Sequence, residues 1–145
     1  MAEFSAAESA FMARALRLAE RGVYTAHPNP MVGCVLVKDG EIVGEGWHER
    51  AGEAHAEINA LRAAGDKARD AIAYLTLEPC SHEGKTPPCA PALIEAGISE
   101  VVIAMQDPFP AVSGNGKAAL EAAGIKVRNG LMEAAARALN AGFLS

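Results

Sequence analysis

Three residues of the types that bind zinc are spread along the chain, with a glutamate close to the first of them. Glu57 follows His55 by two residues, Cys80 comes soon after an apolar segment that ends at Leu77, and Cys89 comes next. An imidazole and two thiolates are ligands that Zn²⁺ prefers, and three protein ligands leave a fourth position for water. Such an ion can lower the pKa of its water towards about 7. The pattern therefore predicts a catalytic zinc site formed by His55, Cys80 and Cys89.

The spacing of His55 and Glu57 restricts where this metal can lie. Two residues apart in the middle of a helix, side chains point about 200° away from each other and cannot share a ligand. In the first turn of a helix both can approach a metal that lies beyond the helix end. Gly52 precedes this segment and favours a helix start there. Because Glu57 is not needed as a ligand, we expect it to be the general acid/base that transfers protons.

The order of secondary structure indicates how the chain positions these residues. Apolar residues at helical spacing predict helices over 5–21 and from just after Gly52 to Ala64, and a turn at Asp39-Gly40 predicts a hairpin of strands 31–37 and 42–43. Strands and helices then alternate, with strands at 71–77, 101–105 and 125–127, and helices at 91–96, 117–123 and 131–140. This order predicts an α/β fold with one mixed sheet and helices on both faces.

Composition restricts the kind of protein and its partners. The 145 residues are 50% apolar, which fits a single domain over residues 1–145, and the net charge of −5 argues against a nucleic-acid partner. We expect a cytoplasmic protein with no membrane partner, because the start of the chain does not resemble a signal peptide and no run approaches about 20 apolar residues. Cys34, in the apolar segment 32–36, is expected to fill the core.

Three segments resemble the deaminase domain of the riboflavin-biosynthesis enzymes that act on diaminohydroxyphosphoribosylaminopyrimidine. They are residues 27–34 (HPNPMVGC), 55–57 (HAE) and 77–89 (LEPCSHEGKTPPC). Histidine and glutamate, then Pro-Cys, then a second cysteine is the order described for zinc nucleobase deaminases, among which cytidine deaminases and tRNA adenosine deaminases typically show P-C-x-x-C. Eight residues separate Cys80 from Cys89 here. The resemblance runs from the first helix to the end of the chain and implies a three-layer α/β/α sandwich of the cytidine-deaminase-like type.

The resemblance also implies a substrate and residues that bind it. The substrate would be a small phosphoribosyl pyrimidine, whose amine at C2 is replaced by oxygen with release of ammonia. Asn29 matches a residue that contacts the pyrimidine, and His48 matches a histidine that we expect to face the phosphate. His82 and Lys85 lie between the two cysteines, so metal binding would hold them near the ring and the phosphate. This fold often dimerises through a helix face, which makes a homodimer one expectation.

Other interpretations remain open from the sequence. The chain could deaminate cytidine, guanine or a tRNA adenosine, or it could be a non-catalytic zinc-binding interaction domain with a fourth protein ligand. Phe109 departs from the resemblance, because a polar residue is more usual there. Nothing in the chain resembles the NADP-dependent reductase to which this deaminase is often fused, so no reductase activity is expected. We expect structural roles for Glu78, at a backbone or helix end, and for Trp47, in the core.

Overall fold

The computed structural model describes residues 4–21, 31–49, 55–78, 89–105 and 115–139 of the chain. The elements in these ranges are α1 (Ala6–Glu20), β1 (Gly33–Lys38), β2 (Glu41–Trp47), α2 (Ala56–Ala64), a 3-10 turn (Gly65–Ala68), β3 (Ile72–Leu77), α3 (Cys89–Glu95), β4 (Glu100–Met105), α4 (Asn115–Ala122), β5 (Lys126–Asn129) and α5 (Glu133–Leu139). The expected order of helices and strands is confirmed. Among these described segments, no helix has the length and apolar character needed to cross a membrane.

The strands of the described ranges form one sheet in the order β2-β1-β3-β4-β5. β1 is antiparallel to both β2 and β3, whereas β3, β4 and β5 are parallel. The turn between β1 and β2 contains Asp39 and Gly40 with positive φ angles of 54° and 80°. Positive φ at both central residues is typical of the type I′ turn that joins tightly paired strands. The predicted mixed sheet and its hairpin are therefore confirmed.

Helices cover both faces of the sheet, because successive residues of a strand point to opposite faces. Along β1, Cys34 and Leu36 contribute to the hydrophobic cluster under α2, α3 and α4, whereas Val35 and Val37 contribute to the cluster under α1 and α5. Buried helix residues complete the two clusters: Ala56, Ala60, Ala90, Leu93 and Leu120 in the first, and Met12, Ala15, Leu16, Leu18 and Ala136 in the second. The three-layer α/β/α arrangement implied by the resemblance is confirmed.

Glycines in the two strands of the hairpin allow helices to lie directly against the sheet. A Cβ atom on Gly33 would lie 1.9 Å from the backbone oxygen of Ala15 in α1. On the opposite face, a Cβ atom on Gly46 would lie 2.5 Å from the backbone oxygen of Ala56 and 2.5 Å from the backbone nitrogen of Ala60. Since these contacts are with backbone atoms, a side chain at Gly46 would force α2 away from β2.

β2 is longer than the sequence predicted, because it covers Glu41–Trp47 rather than 42–43. The reason is its second half, in which Gly44 and Gly46 are buried against α2. Glycine is uncommon in strands, so these positions hide the apolar alternation by which a strand is recognised. Close helix packing, which the sequence pattern does not reveal, therefore decides the length of this strand.

Two smaller expectations need adjustment. α3 begins at Cys89, two residues before the predicted start at Pro91, and proline is tolerated in the first turn of a helix. Trp47 fills the core only in part: it packs against the cluster under α1, and the guanidinium carbon of Arg21 lies 4.9 Å from the centroid of its ring. The structural role expected for Trp47 is confirmed at a partly buried position.

Ion pairs connect α1 with both edge strands of the sheet, β5 and β2. Arg128 in β5 bonds to Glu8 at the start of α1 and donates from Nε to Glu100 at 2.6 Å. Arg14 in α1 donates two hydrogen bonds to the carboxylate of Glu45, at 2.6 and 3.1 Å. The bonds from Arg128 lower the pKa of Glu8, and those from Arg14 lower the pKa of Glu45. These pairs stabilise the packing of α1 on the side of the sheet opposite to α2.

Candidate functional site

The sheet topology brings the ends of three strands and the beginnings of the following helices to one edge. β2 and β3 run in the same direction because each is antiparallel to β1, and β4 is parallel to β3. The carboxyl ends of β2, β3 and β4 therefore meet at one edge, which we call the carboxyl edge. The backbone N–H of Gly33, which pairs with Trp47, donates to Thr76 Oγ1 at 3.0 Å and ties the strands together there. Ligands of α/β proteins commonly bind outside such an edge.

His55 and Glu57 lie at the carboxyl edge, where α2 begins. His55 is the N-cap residue, with φ −74° and ψ 167°, so its backbone is extended and Ala56 is the first helical residue. Two helical residues at this spacing could not share a metal, but this restriction does not apply here, because His55 is extended rather than helical. Glu57 is in the first turn and is only 3% exposed. The helix start expected for this pair is confirmed, whereas their roles stay predictions.

His48 is brought to the same place by the end of β2. Its backbone N–H donates to the carbonyl oxygen of Val32 at 3.0 Å, which continues the pairing of the hairpin. Its side chain is buried, with 2% of its surface exposed, and its ring meets the ring of His55 edge to face with centroids 5.1 Å apart. Two of the predicted site histidines are therefore in direct contact although they come from different elements.

Cys34 lies in the core near His48, His55 and Glu57. It is fully buried and pairs with Gly46 across the hairpin. Burial raises the pKa of the Cys34 thiol well above its usual value, and the negative charge of Glu57 raises it further. Both effects favour the neutral thiol, which is neither a nucleophile nor a metal ligand. The expectation that Cys34 fills the core is confirmed.

Glu78, which follows β3, also stabilises the carboxyl edge, in addition to Thr76 of β3, which accepts the hydrogen bond from Gly33. The carboxylate of Glu78, which is 6% exposed, accepts a hydrogen bond of 3.1 Å from the backbone N–H of Lys117 in the first turn of α4. Its own backbone N–H donates to the carbonyl oxygen of Met105 at 3.0 Å. The structural role expected for Glu78, at a helix end, is confirmed.

The remaining predicted site residues are described in part or not at all. Cys89 is the first residue of α3, and its neighbour Ala90 is fully buried in the same cluster as Ala56, which follows His55. The starts of α2 and α3 thus pack on one face of the sheet, each preceded or opened by a predicted zinc ligand. Asn29, Cys80, His82, Lys85 and Phe109 lie outside the described residues. Among the described residues, no three His, Cys, Asp or Glu side chains form a metal-binding group.

One residue of the edge is absent from the sequence-based prediction. Asn59 in α2 donates from Nδ2 to the carbonyl oxygen of Trp47 at 2.9 Å, and its backbone N–H donates to the carbonyl oxygen of His55 at 3.1 Å. It therefore links the end of β2 to the start of α2. The available signal was its spacing, because a residue four positions after His55 lies one helical turn away on the same face.

Comparison with known proteins identifies relatives of this chain. Residues 5–105 match the family model of the cytidine and deoxycytidylate deaminase zinc-binding region. The chain is 65% identical over 134 residues to the riboflavin biosynthesis protein RibD of Escherichia coli, covering 92% of the chain and 36% of that protein. It is 53% identical to the diaminohydroxyphosphoribosylamino-pyrimidine deaminase of Buchnera aphidicola subsp. Schizaphis graminum, covering 92% of the chain and 90% of that protein.

Comparison with solved structures also identifies a RibD protein. The fold matches that of RibD from Acinetobacter baumannii with a TM-score of 0.94 and 52% sequence identity, covering 95% of this chain and 39% of that one. The chain thus spans less than half the length of the RibD proteins that it matches, and nearly the whole length of the Buchnera relative.

Proposed function

This chain belongs to the diaminohydroxyphosphoribosylaminopyrimidine deaminase family, within the cytidine and deoxycytidylate deaminase superfamily, and on that premise we propose a specific reaction for it. It hydrolytically deaminates 2,5-diamino-6-(5-phosphoribosylamino)pyrimidin-4(3H)-one to 5-amino-6-(5-phosphoribosylamino)uracil. The reaction depends on zinc held by His55, Cys80 and Cys89. Glu57 is the catalytic acid/base.

The burial of Glu57 at the carboxyl edge carries this proposal. Glutamates are almost never fully buried unless they are paired or have a function, and Glu57 is only 3% exposed. Glu57 is also in the first turn of α2, where the helix dipole favours its negative charge. A carboxylate held in this way can transfer one proton of the attacking water to the pyrimidine nitrogen. It can then transfer the proton of the newly formed hydroxyl group to the amine, which leaves as ammonia.

The donor types of the three proposed ligands fit a zinc ion. His55 supplies an imidazole from an extended N-cap position with no side-chain bond to the helix backbone, so its ring is not used as a helix cap. Cys89 opens α3 on the same face of the sheet, and Cys80 follows shortly after the end of β3. When bound, zinc supplies Lewis-acid activation of water at neutral pH. Three ligands from three segments match the open coordination of catalytic sites.

The substrate assignment draws on the relatives and on residues around the edge. Asn29 can donate to and accept from a pyrimidine edge, and Lys85 can pair with the phosphate. His82 lies three residues before Lys85 in the sequence, between the two cysteines. His48, in contact with His55, is proposed to face the phosphate from the end of β2. A substrate with both a polar ring and a ribose phosphate needs contacts of both kinds.

An ammonia-release assay with the phosphoribosyl pyrimidine, before and after zinc removal by a chelator, tests metal and substrate together. We expect turnover by the zinc-loaded chain, loss of turnover with chelator, and recovery when zinc is returned. Cytidine, guanine and a tRNA substrate serve as comparisons. Turnover of one of these, without turnover of the phosphoribosyl pyrimidine, would overturn the substrate assignment. Bound zinc with no ammonia from any of them would favour a non-catalytic zinc domain.

A further inference from the structure

Asn59 makes a side-chain hydrogen bond that joins the two elements carrying the site histidines. Its Nδ2 atom donates to the carbonyl oxygen of Trp47 at 2.9 Å, and Trp47 is the residue immediately before His48. Asn59 is only partly buried, so the energy of this bond alone contributes modestly to the stability of the fold. Its position matters more, because it fixes the peptide from which the backbone of His48 continues.

The same residue is also connected to His55. The backbone N–H of Asn59 donates to the carbonyl oxygen of His55 at 3.1 Å, which is the first hydrogen bond of α2. His55 is not helical, so this bond is what attaches its carbonyl group to the helix. Through its side chain and its backbone, Asn59 therefore holds the peptide groups at both histidines.

The packing around Asn59 leaves little freedom for the two elements to slide. A Cβ atom on Gly46 would lie 2.8 Å from the Cβ atom of Asn59 and 2.5 Å from the backbone oxygen of Ala56. The first turn of α2 is thus in direct contact with the backbone of β2. In a contact this close, a directed hydrogen bond selects one position of the helix along the strand, because a small shift would break it.

We propose that Asn59 is a positioning residue, which sets the edge-to-face contact of His48 with His55 and so the orientation of the His55 imidazole toward the metal. The inference deepens the proposed function and rests on it where His55 is a zinc ligand. Residues that orient a ligand act on metal affinity and on turnover without touching the metal. Asn59 would do so through the peptide groups rather than through the rings.

Two substitutions separate this role from simple packing. Asn59→Asp keeps the size of the side chain but replaces the N–H donor by an oxygen that faces the carbonyl oxygen of Trp47. Asn59→Ala removes the side chain. Ser99→Ala is the matched control, because Ser99 Oγ also bonds to backbone carbonyl groups, those of Asp70 and Ala71, both at 3.1 Å. These bonds of Ser99 lie at the opposite edge of the sheet, where β4 begins.

The first measurement needs no metal. The chain has four histidines, so their ring signals in NMR spectra can be assigned with single substitutions. In the complete 145-residue chain, as purified and again after zinc removal, we expect a cross-peak between the ring protons of His48 and His55. It should weaken or disappear in Asn59→Asp and Asn59→Ala and persist in Ser99→Ala.

The second measurement is zinc affinity, by competition with a chromogenic chelator, together with steady-state kinetics. We expect both Asn59 variants to bind zinc about tenfold more weakly. With zinc saturating, they should have a lower kcat and also a higher KM, because His48, the proposed phosphate contact, is displaced together with His55. Ser99→Ala should match the parent chain in all three values.

The outcomes distinguish this inference from the proposed function. Parent-like cross-peaks and zinc affinity in both folded Asn59 variants would overturn the positioning role. If the parent chain binds no zinc, the proposed function fails, whereas loss of the ring cross-peak in Asn59→Asp still supports the positioning of the two histidines. Thermal unfolding of each variant identifies a general loss of structure, and Asn59→Asp, which leaves no cavity, provides the test if Asn59→Ala does not fold.

Discussion

The imidazole rings of His48 and His55 meet edge to face, with centroids 5.1 Å apart and ring planes at 81°. One residue follows β2 and the other precedes α2, so the contact spans the junction of two elements. An edge-to-face arrangement is a favoured geometry for rings and restricts the rotation of both. His48 is therefore in a position to orient His55, a proposed zinc ligand, in addition to its own proposed contact with the substrate.

Two substitutions of His48 should separate these contributions. His48→Ala removes the ring that contacts His55, and we expect zinc affinity to fall by about tenfold, measured by chelator competition. His48→Phe keeps a ring at the contact but removes both nitrogens, so zinc affinity should be retained while KM rises. An unchanged KM in His48→Phe would contradict the role in phosphate binding. Parent-like zinc affinity in His48→Ala would contradict the orienting role.

Replacing the buried carboxylate tests the acid/base assignment. Glu57→Gln keeps size and hydrogen bonding but cannot transfer a proton, so kcat should fall by at least about 100-fold. Zinc content, measured by elemental analysis, should remain at one ion per chain. Glu121→Gln, at an exposed position of α4, is the control and should retain full activity. Loss of zinc from Glu57→Gln would instead identify Glu57 as a ligand.

The buried thiol should be unreactive in the native protein. Burial, assisted by the charge of Glu57, raises the pKa of Cys34, so it remains a neutral thiol at pH 8.5. Peptide mapping after brief iodoacetamide treatment should find Cys34 unmodified, and fully modified when the same treatment is done in urea. Because the folded pKa is above the unfolded one, this group stabilises the fold at neutral pH. This contribution to stability should decrease as the pH rises above the pKa of the Cys34 thiol in the unfolded chain. Rapid modification of the native protein would contradict the buried position.

Arg128 should make the fold sensitive to acid. Its bonds lower the pKa of Glu8, and a carboxyl group with a lowered folded pKa stabilises the fold above its unfolded pKa. That stabilisation is lost as the pH falls through the folded pKa. Arg128→Met should therefore reduce the free energy of unfolding by about 1–2 kcal/mol at pH 7 and by less at pH 3, measured by urea titration.

Arg137 provides the control for this measurement. Its side chain is 51% exposed and bonds to Glu133 one turn away in α5. Arg137→Met should change the free energy of unfolding by no more than about 0.5 kcal/mol at either pH, because exposed pairs at this spacing contribute little. Equal effects of the two substitutions would show that the partly buried position of Arg128 adds nothing.

A side chain at Gly46 should impair the site as well as the fold. Gly46→Ala forces a Cβ atom against the backbone of α2, and Gly33→Ala does the same against α1 on the opposite face. Both should lower the free energy of unfolding by at least about 1–3 kcal/mol, since overpacking requires the backbone to move. Below the unfolding temperature of both variants, zinc affinity should fall more in Gly46→Ala, because α2 carries His55. An equal loss in the two variants would contradict a specific role for the α2 contact.

Local sequence signals were sufficient for most of the architecture. Ser5 and Glu8 form the capping box that begins α1, and Gly97 and Gly124 adopt positive φ where α3 and α4 end. These features depend on residues close in sequence, so spacing predicts them. β2 was predicted too short because it contains Gly44 and Gly46. Glycine is needed at these positions because α2, which comes later in the chain, packs closely against them.

The sequence by itself determined which residues can be proposed for the chemistry: His55, Cys80 and Cys89 are donor types that zinc prefers, and Glu57 is spaced to be proposed as the acid/base beside them. Only the tertiary structure decided which residues support them. The antiparallel pairing of β1 with β2 and β3 brings the ends of β2 and β3 to one edge, and α2 lies close enough to β2 for His48 to contact His55. The physical reason is that such contacts depend on strand order and on the distance between helix and sheet, which are set by packing across the whole core.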